Sequence, residues 1–405
     1  MKNELSLSPS EIDFILSPAA IRERAQKLFA RTEAAQGAFA YHPEKLASTV
    51  SYVLEVIRKN YPSLEIPFHS RWGHFRAGGV DRTKLLNDKL APLKPLERAR
   101  VKIDLVIPSV LLDAGAGPRW KFRDQDDKYY GRSEGLGLAS FYMFLDGAMS
   151  ATGRALRAEK DGLKNITAVQ LERSFQVDEH NPLVGVEGRV QLLNNLARAL
   201  ENKEIFAKGR PGDLVDYLQG KYGQEIPATG LLRAVLDGLG PIWPGRIVAN
   251  GTNLGDVWRH SALGEGIEAL VPFHKLSQWM TYSLIEPIEE AGLKVTGVEN
   301  LTGLAEYRNG GLFIDSGLIS FRNPGDAEKT WAPDSDLIIE WRALTVHFLD
   351  IVGAEVQKAL GKTPQNFPLA KVLEGGTWWA GRFLAQKNRE SGEPPIKIKS
   401  DGTVF

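Results

Sequence analysis

The chain contains no cysteine among its 405 residues. This absence excludes disulfide bonds, thiolate nucleophiles, Zn–Cys sites and Cys-ligated iron–sulfur clusters. Net charge is also absent, because 50 Lys and Arg balance 50 Asp and Glu, so we expect no nucleic-acid and no membrane partner. No apolar run has the length of a transmembrane helix, and residues 1–14 (MKNELSLSPSEIDF) lack the apolar core of a secretory signal. These absences predict a cytoplasmic protein.

Several motif-defined sites are missing as well. The glycine pairs in DAGAGPRW and SEGLGLAS precede no Lys-Ser/Thr of a P-loop and lack the third glycine of a dinucleotide fingerprint. We interpret them as turns and close helix packing, although the loop beside Trp120 and Glu134 is a candidate cover for a ligand. The chain has no HExxH and no HxH pattern. We expect no metal and no cofactor.

Helical periodicity dominates the chain. Ser17 and Pro18 form a helix start, and further helical patterns cover 45–59, 186–204, 337–360 and 369–387. Residues 84–112 are also predicted to be helical, with interruptions near Pro92, Pro95 and Pro108. Strand signals are few and do not alternate with helices as a parallel sheet requires. The predicted fold is mainly α with a small antiparallel β piece, an α+β class. We treat residues 1–405 as one unit, with 1–240 as a helical N-terminal part and 241–405 as the C-terminal part that carries the site.

The stretch from Val271 to Phe321 concentrates polar side chains among aromatic ones. It begins as an amphipathic helix on which His274 and Gln278 share one face, and Lys275 and Trp279 share the adjoining face. A lysine on a helix is usually solvated. In the first helical turn, however, Lys275 and His274 can seat a phosphate together with the helix N-terminus. The stretch ends in two apolar runs that predict a β-hairpin.

Between the helix and the expected hairpin lies LAEYRNGG. If this segment is extended, Glu306 and Arg308 lie on one side and form a surface ion pair. Alternatively, Arg308 pairs with Glu340, which leaves Glu306 free to face a cavity. The apolar flanks favour burial, and a buried acid needs a partner or a function. Glu340 and Arg342 begin a largely apolar helix, so one of the carboxylates is expected to be structural and to pair with Arg308 or Arg342.

Several blocks resemble a known family. They are SVLLDAGAG, RSEGLGLASF, VPFHKLSQWMTYSLIEP, LTGLAEYRNGGLFIDSG, EWRALTVHFLD, LEGGTWWAGR and SDGTVF. Together they are similar to the uracil-catabolism protein four family, formerly a domain of unknown function. This resemblance implies cytosolic nucleobase catabolism by a route in which uracil becomes a nucleotide, its ring opens, and a ribosylurea compound is formed and broken down.

A second resemblance concerns the order FHKxxQ, LTGLAEYR and EWRA, which is similar to the queuosine 5′-phosphate N-glycosidases. Those mostly helical enzymes carry a catalytic aspartate before Tyr-Arg, where this chain has Glu306. Their phosphate-side lysine matches Lys275. The resemblance implies that Glu306 stabilises an oxocarbenium-like transition state.

Combined, the two resemblances imply an N-glycosidase of the hydrolase class that acts on a small ribosylated substrate. The expected reaction converts ribosylurea, as its 5′-phosphate, to urea and ribose phosphate. The expected substrate-binding residues are His274, Lys275, Gln278, Trp279, Tyr307, Arg308, Asn309, Asp113, Trp120 and Glu134, with Glu340 and Arg342 as structural neighbours. One alternative is a non-catalytic binding partner of uracil-degradation enzymes or nucleotides. Another is a phosphoribosyltransferase-like enzyme, for which the chain lacks the TGT/TGK-type loop. No pattern indicates the oligomeric state.

Overall fold

A computed structural model describes residues 4–113, 115–153, 155–243 and 246–399. The chain divides into two compact units. The first comprises the described parts of Met1–His69, Gly245–Gln278 and Gly297–Phe405, and the second comprises those of Ser70–Pro244 and Trp279–Thr296. Each unit is therefore assembled from separate stretches of sequence. The terminal SDGTVF block lies outside the described residues.

The first unit contains most of the predicted candidate site. Its helices are α1 (Pro9–Ile15), α2 (Pro18–Glu33), α3 (Leu46–Asn60), α14 (Tyr307–Asp315), α15 (Asp336–Ala359), α16 (Leu369–Val372) and α17 (Trp378–Asn388), with a π-helical segment at Leu373–Thr377. Its strands are β1 (Glu4–Leu5), β2 (Phe39–Tyr41), β6 (Val248–Ala249), β7 (Thr252–Asn253), β8 (Val257–Arg259), β9 (Leu270–Pro272), β11 (Ile319–Phe321), β12 (Thr330–Trp331) and β13 (Lys397–Ile398).

The second unit is also mostly helical. Its helices are α4 (Arg71–Phe75), α5 (Thr83–Leu90), α6 (Pro95–Leu111), α7 (Arg132–Leu145), α8 (Lys160–Lys164), α9 (Ala168–Ser174), α10 (Val186–Ala199), α11 (Asp213–Tyr222) and α12 (Ala228–Leu239). Its strands are β3 (Lys121–Arg123), β4 (Tyr129–Gly131), β5 (Glu225–Pro227) and β10 (Lys294–Thr296). Helix α13 (Lys275–Glu290) starts in the first unit, and the division between units falls after Gln278.

A helix pair organises the core of the first unit. Helix α2 starts as predicted, because the Ser17 side chain accepts the Ala20 N–H and Pro18 occupies the first turn. Its apolar face packs against α15 and against residues that precede α13 and α14. The shared cluster consists of Ile21, Ala25, Leu28, Trp258, Val271, Phe273, Ala305, Ile339, Ala343 and Val346. Burial of this face therefore fixes the segments from which the candidate site is built.

Strand pairing is local and limited. Strands β2 and β11, β3 and β4, β6 and β7, and β8 and β9 pair antiparallel. Strands β1 and β6, β5 and β10, and β12 and β13 pair in parallel. The predicted mainly α fold with a small β component is confirmed, with parallel pairs in addition to the expected antiparallel ones. None of the described helices combines the length and apolar character that a bilayer-crossing helix requires.

The predicted hairpin near Phe321 is wrong. Residues Tyr307–Asp315 form helix α14, and β11 pairs with the distant β2 rather than with a neighbouring strand. Glycine at positions 310 and 311 resembled a turn, but the helix receives an N-terminal cap and close tertiary packing that sequence propensity does not report. The expected break at Pro108 is also wrong, because α6 continues through it.

Candidate functional site

The candidate site begins at the start of α13, where Asp256 organises the backbone. Its carbonyl accepts the Phe273 N–H at 2.9 Å, and its carboxylate accepts the Lys275 N–H at 3.1 Å. Between them, His274 adopts a left-handed conformation with φ of 47°. Such a conformation is costly for a residue with a side chain and persists only when its surroundings hold it. Asp256 therefore already occupies one anion-binding amide of this helix terminus.

Asp256 is itself held by Arg342 of α15. The two side chains form a bidentate pair with N–O distances of 2.8 and 2.7 Å, and Arg342 is only 1% exposed. Trp258 adds an indole N–H at 2.7 Å. Burial acts to raise the pKa of Asp256, but the Arg342 guanidinium and these hydrogen bonds outweigh it and bring the pKa well below its ordinary value. Asp256 is thus a fixed anion.

Arg342 also links the helix start to the LAEYR segment. Its Nε donates to the Ala305 carbonyl at 3.3 Å, while its guanidinium lies 4.0 Å from the centre of the Phe273 ring. Ala305 directly precedes Glu306. The structure therefore brings together the VPFHK, LAEYR and EWRA blocks, which lie far apart in sequence.

Glu306 is the N-cap of α14. Its two carboxylate oxygens accept the N–H groups of Arg308 at 2.8 Å and Asn309 at 2.7 Å, and the residue is 7% exposed. The predicted extended segment with a Glu306–Arg308 side-chain ion pair is therefore wrong, because the carboxylate binds backbone amides instead. A carboxylate has about four lone-pair sites, and the described residues occupy two of them, which leaves two for a ligand.

A further layer fixes the first turn of α14. The Asn309 side chain donates to the Leu304 carbonyl at 3.4 Å and accepts the Thr377 hydroxyl at 2.9 Å. Thr377 belongs to the π-helical segment, and π-helical turns occur frequently at functional sites. Opposite Arg308, Gly381 allows close approach, since a Cβ there would lie 2.1 Å from the Arg308 carbonyl oxygen. The predicted ligand contact of Asn309 stays a prediction.

Two buried side chains at the start of α13, His274 just before the helix and Gln278 in its first turn, have hydrogen-bonding atoms without a partner among the described residues. His274 Nε2 lies 2.9 Å from the Ile15 carbonyl, which can only accept, so Nε2 carries the proton. Nδ1 is then an acceptor that has no partner among the residues described. Burial lowers the pKa of His274 and keeps it neutral. One turn later, Gln278 is 0% exposed, and neither of its amide atoms has a hydrogen-bond partner in the described part of the chain. Unmet buried polar groups are rare and require an explanation such as a ligand.

The position of the His274 proton bears on the prediction that His274 and Lys275 bind a phosphate. Neutral His274 already donates its only ring N–H to the Ile15 carbonyl, so it offers an acceptor and cannot donate to a phosphate. Arg308 is a better candidate for binding the phosphate, because its guanidinium is buried, donates to the Gly392 carbonyl at 3.1 Å and lies 4.9 Å from the Tyr307 ring. Its Nε has no hydrogen-bond partner among the described residues. In the part of the chain that the structure describes, Arg308 has no carboxylate partner. A buried cation of this kind favours an anionic ligand.

Glu340 is a structural residue, but not in the predicted way. It pairs with neither Arg308 nor Arg342; it accepts the backbone N–H groups of Ala38 and Phe39 at 2.9 and 3.3 Å and the Thr32 hydroxyl at 3.2 Å. Desolvation raises the pKa of Glu340 despite these bonds.

The remaining predicted residues belong to the second unit. Asp113 accepts Arg71 Nη1 at 2.6 Å, and Arg71 lies 5.6 Å from the Trp279 ring, so these residues form one cluster. Trp120 is a core residue that donates to the Phe175 carbonyl at 2.9 Å. Glu134 lies in the first turn of α7. Within the described residues, no group of three or more His, Asp or Glu side chains is arranged to hold a metal ion.

Sequence reasoning missed Asp256, Thr377 and Arg71. Asp256 follows Gly255 in the segment NLGDVW, for which we made no functional prediction. Its role depends on Arg342, 86 residues away, and no local pattern carries that information.

Comparison with known proteins decides the family. The family model described as "Protein of unknown function (DUF1688)" matches residues 14–405. The chain belongs to this family. "Protein urg3" of Schizosaccharomyces pombe is 40% identical over 411 residues, covering 98% of this chain and 100% of that protein. "Uracil catabolism protein 4" of Lachancea kluyveri is 36% identical over 436 residues, covering 97% and 99% of the two chains. The family resemblance inferred from the sequence blocks is thereby confirmed.

Proposed function

We propose that this protein acts in uracil degradation and hydrolyses the N-glycosidic bond of ribosylurea, as its 5′-phosphate, to urea and ribose 5-phosphate. The relative named "Uracil catabolism protein 4" supports the pathway. The structural observation that carries the reaction type is Glu306, a buried carboxylate that two backbone amides hold in a single orientation.

The chemistry requires a fixed negative charge. Cleavage of an N-glycosidic bond leaves positive charge on the anomeric carbon and ring oxygen of the sugar. A preorganised carboxylate stabilises that charge without reorganising during the reaction. In the proposed step, the C–N bond breaks with its electron pair on the ureido nitrogen, and a water oxygen bonds to the anomeric carbon. The proton that the water loses ends on the ureido nitrogen, so urea leaves neutral.

Buried polar groups of the first unit supply the proposed sugar contacts. The unpaired Nδ1 of His274 accepts a ribose hydroxyl proton, and the Gln278 amide both donates to and accepts from a sugar hydroxyl. The buried Arg308 and the Lys275 ammonium supply positive charge for the 5′-phosphate. Binding through these groups fixes the sugar and converts binding energy into orientation.

The test is urea release by purified protein supplied with ribosylurea and, separately, with its 5′-phosphate. We expect turnover of the phosphate, and we expect Glu306→Gln to lower kcat by about 10²–10³. Arg308→Gln should raise KM for the phosphate much more than for ribosylurea. The matched control is Glu340→Gln, which alters another buried carboxylate that is bound by two backbone amides; turnover should persist in this variant.

The outcomes separate the alternatives. Wild-type turnover by Glu306→Gln would refute the role of Glu306. If the wild-type protein binds the phosphate but releases no urea, the non-catalytic role in the same route is favoured instead.

A further inference from the structure

The second unit contains a buried arginine whose hydrogen bonds are incomplete. Arg71 opens α4 and is 0% exposed. Its Nε donates to the Ser109 hydroxyl at 2.7 Å, and Nη1 donates to Asp113 at 2.6 Å. Nη2 is inaccessible to solvent and has no hydrogen-bond partner among the described residues.

Other side chains hold this guanidinium in place. Ser140 lies 2.6 Å from Ser109, the Ser133 hydroxyl donates to Asp113 at 3.0 Å, and a ring nitrogen of His74 lies 3.5 Å from Arg71 Nη1. Gly137 of α7 permits the approach, since a Cβ there would lie 3.3 Å from the Arg71 Cζ and 2.9 Å from the His74 Cβ. The unpaired nitrogen is therefore fixed and not free to turn towards another acceptor.

Other buried arginines of the same unit direct their nitrogens to groups within the chain. Arg210 Nη2 also lacks a hydrogen bond among the described residues, but it lies 2.6 Å from Asp104 in an ion pair. Arg82 directs its nitrogens to Asp124 and to the carbonyls of Ala77 and Val80. Arg189 directs its nitrogens to backbone carbonyls, those of Leu112, Val184 and Gly115. A buried donor without an acceptor is costly, so the unmet Arg71 nitrogen points to an acceptor that binds from outside the chain.

The neighbouring charge selects the kind of acceptor. Nη1 and Nη2 belong to one planar guanidinium, so an oxygen atom on Nη2 lies close to the Asp113 carboxylate on Nη1. An anionic ligand would be repelled there, whereas a neutral group with an N–H next to its oxygen would donate to Asp113. Asp113 is 14% exposed, and each of its oxygens accepts one hydrogen bond from the described residues, which leaves a lone pair for a ligand. Arg189 also acts electrostatically on Asp113, but backbone carbonyls occupy its nitrogens.

We propose that Arg71 and Asp113 form a binding site for a neutral carbamoyl or ureido group. The carbonyl oxygen of the ligand accepts from Arg71 Nη2, and an adjacent ligand N–H donates to the Asp113 carboxylate. The ligand class follows from the side chains of the second unit, and it does not depend on whether Glu306 of the first unit takes part in catalysis.

The experiment is ligand-observed NMR titration of the full chain with N-methylurea and acetamide, compared with acetate and inorganic phosphate. We expect the two neutral amides to bind and the two anions not to bind. Arg71→Lys should weaken N-methylurea binding at least about tenfold, because the ammonium cannot bridge Ser109, Asp113 and a ligand at once. Arg82→Lys is the matched control, a fully paired buried arginine of the same unit, and should leave binding unchanged.

Asp113→Asn is a second variant for which we expect a gain of acetate binding. A misfolded protein would not show such a gain. Without the carboxylate, acetate should bind at Arg71 and N-methylurea should bind more weakly. Tighter binding of acetate or phosphate than of N-methylurea by the wild-type protein would overturn the proposal, as would unchanged binding by Arg71→Lys or no binding at all. None of these results depends on urea release from ribosylurea, so the two proposals can fail separately.

Discussion

Asp256→Asn is the substitution that most directly tests the organisation of the candidate site. The change keeps the size of the side chain but removes the anion that Arg342 binds through both terminal nitrogens. Removing one partner of a buried ion pair costs about 3–5 kcal/mol, since the other charge stays buried without compensation. Because the pKa of Asp256 lies below its ordinary value, the full contribution is present at pH 7.

The assay is chemical denaturation at pH 7 followed by circular dichroism, with a matched control. Arg22 and Asp350 form a similar pair in the same unit, with an N–O distance of 2.8 Å, but their side chains are 35% and 33% exposed. An exposed pair contributes at most about 1 kcal/mol, so Asp350→Asn should lower stability far less. Equal losses from the two variants would refute the reasoning.

A double-mutant cycle with Arg342→Gln extends this test. If Asp256 and Arg342 act as one unit, the double variant should be more stable than the sum of the single losses predicts, by up to about 3 kcal/mol. Additive losses would show that the two side chains act separately. Both single variants should also slow the proposed turnover, since Arg342 links the start of α13 to Ala305.

Three further predictions concern other buried positions. Gln278→Met should raise stability by about 1–3 kcal/mol, because it removes two unpaired amide atoms, yet abolish sugar binding; an unchanged melting temperature would contradict this. Gly381→Ala should destabilise by several kcal/mol, since its Cβ would lie 2.1 Å from the Arg308 carbonyl oxygen. The control is Gly220→Ala, another helical glycine, which has open space around the added Cβ and therefore isolates the backbone effect. Burial lowers the pKa of His347 to about 4. In this pH range the unfolded chain therefore binds more protons than the folded one, and the free energy of unfolding falls by on the order of 3 kcal/mol between about pH 6.5 and about pH 4. Chemical denaturation at the two pH values should show that His347→Phe abolishes this loss.

Periodicity predicted the long elements because each has one apolar face. Helices α2 and α15 repeat apolar residues at helical spacing and bury them against each other. Local chemistry was also sufficient at Ser17, whose hydroxyl caps α2 as expected. In contrast, α14 contains two adjacent glycines and depends on Glu306 and on packing with distant segments, so its sequence resembles a turn.

The candidate site was predictable only in part. Glu306 was singled out by its apolar flanks and by a family resemblance, and it is indeed buried. Its actual partners are backbone amides, and the partner of Arg342 is Asp256; neither could be inferred from spacing. Which arginine meets which carboxylate is decided by tertiary structure, because every ion pair considered from the sequence was chemically plausible. The roles assigned to Lys275, Tyr307 and Glu134 stay predictions.

The discontinuous first unit has a consequence for biosynthesis. Strand β2 finds its partner β11 about 280 residues later, and Arg22 of α2 meets Asp350 of α15. While the ribosome is still translating the middle of the chain, the apolar face of α2 has no α15 to cover it. Nascent chains stalled before α15 should therefore recruit chaperones that recognise exposed apolar helices, and chains released after α15 should not.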